Sequence, residues 1–113
     1  MQIRLGYELT YDCPQPTPMI LTLNIHYSRV SDIVKPDHLI ARPAVPMSAY
    51  RDGFGNWCTR VVAPAGRIVF TTDAVINDPG TRDRQVPGAM QHPVEDLPEE
   101  TLVFLLGSRY CET

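Results

Sequence analysis

A chain of 113 residues holds one domain with a real core and is too short for two ordinary ones. Its apolar fraction of 43% and charged fraction of 20% are those of a globular protein and exclude a disordered or membrane-embedded composition. A formal charge of -3 speaks against general binding to nucleic acid or anionic membrane, because both are held through a positive surface.

Residues 2 to 11 alternate. Ile3, Leu5, Tyr7, Leu9 and Tyr11 are apolar, with Gln2, Arg4, Glu8 and Thr10 between them, which predicts a strand with one face on a core and one in water. "DCPQPTP" then reads as an extended connection, since its prolines donate nothing to a ladder. Met19, Leu21, Leu23, Ile25 and Tyr27 alternate with Thr22, Asn24, His26 and Ser28, giving a second strand of about nine residues with the first as its expected partner. Residues 31 to 42 carry no clear pattern.

"VPMSAYRD" and "NWCTRVVAP" flank Gly53, Phe54 and Gly55 as the two arms of a hairpin. After the "APAG" turn, "RIVFTTDAVIN" is a strand ending near Asn77, and "DPGTRDRQVPG" is a loop. In "EDLPEETLVFLLGS", Asp96 is placed to cap a short helix with Glu99 three residues on, running to about Leu106 and closed by Gly107. The eleven prolines oppose long helices. Together these elements predict an all-β, antiparallel β-sandwich with a short C-terminal helix. The expected division is a sandwich over 1–95 and, over 96–113, the helix and the start of a connection.

"DGFGNWCTR", residues 52 to 60, is the stretch that most resembles a site. A phosphate cradle needs its glycines between a strand and a helix, and "NWCTRVV" is a poor helix start. Asp52, Gly53, Gly55 and Asn56 are instead the residues of a tight turn, because Gly and Asn tolerate positive φ and Asp can bond its own backbone. Phe54 is the residue left over, as a contact for the sandwich or for a partner domain. Cys58 beside Arg60 invites a nucleophile reading, since a nearby cation favours the thiolate. A catalytic cysteine also needs a base, and His26, His38 and His92 carry no local signal for one. Cys13, Cys58, Cys111 and His26 lack the paired spacing of a zinc site. Glu95, Asp96, Glu99 and Glu100 suit a helix N-terminus better than acid–base chemistry. No catalytic, cofactor-binding or metal-binding residue is assigned, and no cofactor is expected. Odd-numbered, widely spaced cysteines and the lack of a leader-like start suggest the cytoplasm.

"YRDGFGNWCTRVVAPAGRIVF", followed by "HPVEDLPEETLVFLLGSRYCET", resembles the N-terminal region of bacterial transglutaminase-like cysteine proteases, in which an opening β-domain with a D-x-[FY]-G-N turn precedes a papain-like core. The resemblance spans nearly the whole chain. It implies that the catalytic Cys, His and Asp lie in a downstream core, in a motif like G-x-C-R-D that does not occur here. On that basis these residues are not themselves an enzyme, while the parent protein is a protease or amide-transfer enzyme whose core is the partner. The alternative expectation is an independent protein-interaction module, binding through a strand edge and open to homo-oligomer formation by the same route.

Overall fold

The computed structural model describes residues 1–110; Cys111 lies outside the described residues. Contacts divide the chain into a unit of Met1–Thr81 and a second of Arg82–Thr113.

The first unit is an all-β antiparallel sandwich. It contains seven strands: β1 (Gln2–Cys13), β2 (Thr17–Leu21), β3 (Ile33–Lys35), β4 (Ile40–Arg42), β5 (Ser48–Arg51), β6 (Trp57–Ala63) and β7 (Gly66–Asn77). One sheet is built on β7, with β1 along one side and β3 and β4 along the other; the second sheet has the order β2-β6-β5.

β7 is the axis of the fold. Ile68, Phe70, Thr72, Ala74 and Ile76 are buried along one face of it, in the period of two that a pleated strand requires. Ile68 and Phe70 are fully buried and meet Val61 and Ala63 of β6, Leu21 of β2, Ala41 of β4 and Cys13 of β1 between the sheets. Tyr7, Leu9 and Met19 pack around this cluster, and the Tyr11 ring meets Phe70 edge-on at 6.2 Å. Complete burial of a Phe or Ile side chain contributes about 1.5–3 kcal/mol, so this layer dominates the stability of the unit.

The odd-numbered residues of β1 do face inward, but its partner is not β2. β1 pairs antiparallel with β7 from Gln2↔Asn77 to Cys13↔Gly66, while β2 pairs with β6. Alternation fixes which face of a strand is buried and says nothing about which strand lies beside it. Pro14 and Pro16, without N–H groups, sit in the crossing that carries the chain from one sheet to the other.

The second strand is also shorter than its alternation suggests. It ends at Leu21, and the chain bends into a 3-10 turn over Tyr27–Asp32. Two side chains enforce the bend. Asp37 Oδ2 accepts from the Ile25 N–H at 2.7 Å and from Asn24 Nδ2 at 3.0 Å, and His26 caps the turn by accepting from the Ser28 N–H. Arg29 bonds Asp32 within the turn (2.7 Å) and fixes the turn to the end of β7 through Asp78 (3.2 Å) and the Asn77 carbonyl (3.3 Å).

The hairpin is found where expected: Arg51 pairs with Trp57 and Tyr50 with Cys58. Pro64 and Ala65 alone link β6 to β7, so the chain changes sheet between Ala63 and Gly66, where φ is +107°.

In the second unit the C-terminal helix is a pair of 3-10 segments, Val94–Asp96 and Glu99–Leu105, in place of one helix capped by Asp96. The break has a steric cause. Leu97 precedes Pro98, and the proline ring drives the residue before it out of the helical region; Leu97 is extended at φ −77°, ψ 141°. Asp96 therefore ends the first segment, Pro98 takes the cap position of the second, and that segment closes at Leu106 rather than at Gly107. Leu102, Val103, Leu105 and Leu106 are all exposed.

Candidate functional site

The turn between β5 and β6 is tied together by one carboxylate. Asp52 Oδ1 accepts from the Phe54 and Asn56 N–H groups at 2.9 Å each, and Oδ2 accepts from Asn56 Nδ2 at 3.0 Å. The backbone closes the loop through Asp52 N to Asn56 O (3.0 Å) and Gly55 N to Asp52 O (3.2 Å). These donors, Asn56 Nδ2 foremost, hold the Asp52 carboxyl below its ordinary value against the opposing effect of desolvation.

Within the turn the two glycines have different roles. Gly55 has φ +83°, a region that L residues rarely enter, and a Cβ there would collide with the Tyr27 ring. Gly53 has no positive φ, and a Cβ on it would meet open space. Asn56 contributes by its hydrogen bonds rather than by a left-handed backbone.

His26 and Tyr27 are brought to this turn from the segment after β2. The Ser28 N–H donates to His26 Nδ1 at 3.2 Å, which makes that nitrogen an acceptor and leaves Nε2 to donate to the Phe54 carbonyl at 2.8 Å. Phe54 is 62% exposed at the tip. Arg51 lies over two rings, 5.0 Å from the Tyr27 centroid and 5.6 Å from that of Trp57. Both rings are within the roughly 6 Å at which a guanidinium is attracted to a ring face.

Beside the stack opens a cleft of about 340 Å³, lined by Tyr27, Ile33, Leu39, Met47 and Trp57 with His26, Asp37 and His38 as polar members. Its composition is that of a small-ligand or peptide pocket: an apolar wall with a few polar groups. The Tyr7 hydroxyl is buried without a hydrogen-bond partner among the described residues, and its pKa is raised by burial and then by the charge of Asp37.

Of the cysteines, Cys13 belongs to the core and Cys58 is 5% exposed. Cys58 Sγ turns toward Asp52 Oδ2 and the Asn56 carbonyl, both at 3.9 Å, while the His26 ring is engaged by Ser28 and Phe54. Cys58 also faces Tyr50, whose pKa is raised by burial first and by Cys58 next. His38 accepts a 2.8 Å bond from Thr72 Oγ1 through its backbone carbonyl, and His92 is exposed in the second unit. Among the described residues, no group of three or more His, Cys, Asp or Glu could hold a metal ion, and no helix is long and apolar enough to cross a membrane.

The chain is similar in fold to a crystal structure described as "a Putative Cysteine Protease from Cytophaga hutchinsonii", with a TM-score of 0.61 at 20% identity. The likeness covers 98% of this chain and 41% of that one, so this chain spans well under half the length of its structural neighbour. No family model and no curated protein matches the sequence.

Proposed function

We propose that this chain is a non-catalytic β-sandwich domain of a transglutaminase-like or cysteine-protease-like protein, packing against or presenting substrate to a catalytic core downstream of it. One observation carries the reading: a fold likeness that takes in 98% of this chain occupies 41% of the neighbour, leaving most of that protein for other parts. The D-G-F-G-N turn and the closing "PEETLVFLLGSRYCE" support it from the sequence side.

The face that suits this role is the cleft beside the hairpin turn. Tyr, Trp and Arg are the side chains that most often dominate binding energy at interfaces, and the Arg51 guanidinium lies over Tyr27 and Trp57, both of which line the cleft. A peptide carrying an apolar side chain next to a carboxylate or carbonyl matches that surface.

The test compares the 113-residue chain with a longer form that includes the downstream residues. The short chain is expected to show no amidase, protease or transamidation activity, and the longer form to show it. Arg51→Ala in the longer form is expected to lower kcat/KM about tenfold with its fold intact, as loss of one interface anchor does. Turnover by the short chain that Cys58→Ala abolishes overturns the proposal. A longer form indifferent to removal of the sandwich points instead to an independent interaction module.

A further inference from the structure

β1 is twelve residues long, ends its sheet, and pairs among the described strands with β7 alone. Its register with β7 runs without a bulge, and it contains no proline. A long, regular edge of this kind presents a row of unpaired N–H and C=O groups, a template that proteins ordinarily blunt.

Which residues present those groups follows from one bond. The Asp78 N–H donates to the Met1 carbonyl at 2.8 Å, so Met1 and Asp78 form a hydrogen-bonded pair. Bonded and non-bonded pairs alternate along an antiparallel ladder. Ile3, Leu5, Tyr7, Leu9, Tyr11 and Cys13 therefore bond β7, and Gln2, Arg4, Gly6, Glu8, Thr10 and Asp12 direct their backbone groups to the open edge.

We propose that β1 pairs antiparallel with β1 of a second copy of this chain, with Gly6 opposite Gly6 at the two-fold axis and Arg4 opposite Glu8 on both sides of it. The open backbone groups from Gln2 to Thr10 then form five bonded pairs centred on Gly6, about ten inter-chain bonds in all. Buried and solvent faces stay aligned because even residues meet even residues.

Charge selects this register. Lys35 bonds Asp73 Oδ2 at 2.8 Å, and Asp73 Oδ1 accepts from Arg4 Nε at 2.9 Å, a row of alternating sign that crosses the sheet from β3 through β7 to β1. Arg4 is its outermost member, and an acid from the second copy extends the alternation. Shifting the pairing by two residues sets Arg4 against Gly6 or Thr10. Shifting it by four sets Arg4 against Arg4 or Glu8 against Glu8, which is repulsive. On the other face, Ile3 comes opposite Leu9 and Met1 opposite Tyr11. These matches cover Met1, Ile3 and Tyr11, which are 71%, 37% and 42% exposed in the single chain.

Sedimentation velocity on the 113-residue chain, over roughly 1–100 µM, is expected to resolve a monomer–dimer equilibrium. Glu8→Arg sets Arg against Arg at both ends and is expected to raise the dissociation constant about tenfold or more with unchanged circular dichroism. Arg4→Glu alone is expected to weaken association likewise. An equimolar mixture of the two variants is expected to recover a dimer, because one strand then carries two positive charges and its mate two negative. Thr10→Pro removes an outward N–H without touching the ladder to β7, and gives a second monomeric variant that does not depend on charge. A chain monomeric to 100 µM overturns the proposal, as does a dimer that survives Glu8→Arg and Thr10→Pro, or a mixture no more associated than its components.

Discussion

Gly55 lies against the ring of Tyr27 so closely that a single added carbon would occupy the space of the ring. That contact joins the hairpin turn to the segment after β2, and the positive φ of Gly55 makes it doubly intolerant of a side chain. Gly55→Ala is expected to destabilise the protein by about 1–3 kcal/mol. Gly53→Ala, whose Cβ meets open space, should stay within about 0.5 kcal/mol of the parent. Urea midpoints for the two variants decide the matter; equal losses would show that the turn, and not the Tyr27 contact, sets the requirement.

The Asp52 carboxyl is held below its ordinary value, so the folded chain binds that proton more weakly than the unfolded chain does. Its contribution to stability is therefore present in full above the unfolded carboxylate pKa of about 3.9, and is lost as pH falls through the lower folded value. Urea midpoints measured from pH 7 down to pH 2 should drop on the acid side, and Asp52→Asn should flatten part of that drop while lowering stability at pH 7. Asp73, held well below the usual carboxylate range by its bonds to Arg4 and then Lys35, contributes a limb of the same sign. An Asp52→Asn profile parallel to the parent's would remove Asp52 from this account.

Phe70 is fully buried between the sheets. Replacement by Ala removes its buried surface and leaves a cavity that flanking strands cannot close, at a cost of about 3–5 kcal/mol. Thermal unfolding followed by circular dichroism should register it as the largest loss among the variants considered. A loss below about 1 kcal/mol would mean that the sheets collapse around the site.

Tyr7 carries a hydroxyl that is buried without a partner among the described residues, beside the negative field of Asp37. Tyr7→Phe keeps the ring and removes the unsatisfied group, so it is expected to be neutral or stabilising by about 1 kcal/mol. Destabilisation by more than that would place a hydrogen-bond partner on the Tyr7 oxygen.

The parts legible in the sequence are those decided locally. The odd and even positions of β1, the strand over β7, the arms of the hairpin and the Asp52–Asn56 turn follow from period-two alternation, strand propensity and turn chemistry, and the structure has them at those positions. What was not legible depends on distant residues. The stretch from Leu23 to Tyr27 alternates like a strand, yet Asp37, more than ten residues away, takes the Ile25 N–H and bends it. The pairing of β1 with β7 spans most of the unit, and alternation names no partner. The cleft, with its Arg51 stack, collects side chains from segments around residues 25, 38, 48 and 57, none of which forms a motif alone. The break at Leu97 was readable in principle from Pro98, since a residue before proline is held out of the helix.

The order of the strands also bears on synthesis. Of the seven strands of the first unit, β1 is made first, and β7, the strand it pairs with and the one that also carries β3 and β4, is made last. The first sheet cannot begin to assemble around its axis until residues near 66–77 have emerged, and until then β1 has no strand to pair with. Such long-range closure slows folding and leaves an amphipathic strand open to other chains in the interval. The unit therefore has most to gain from a chaperone at β1, well before the turn at Asp52 has been made.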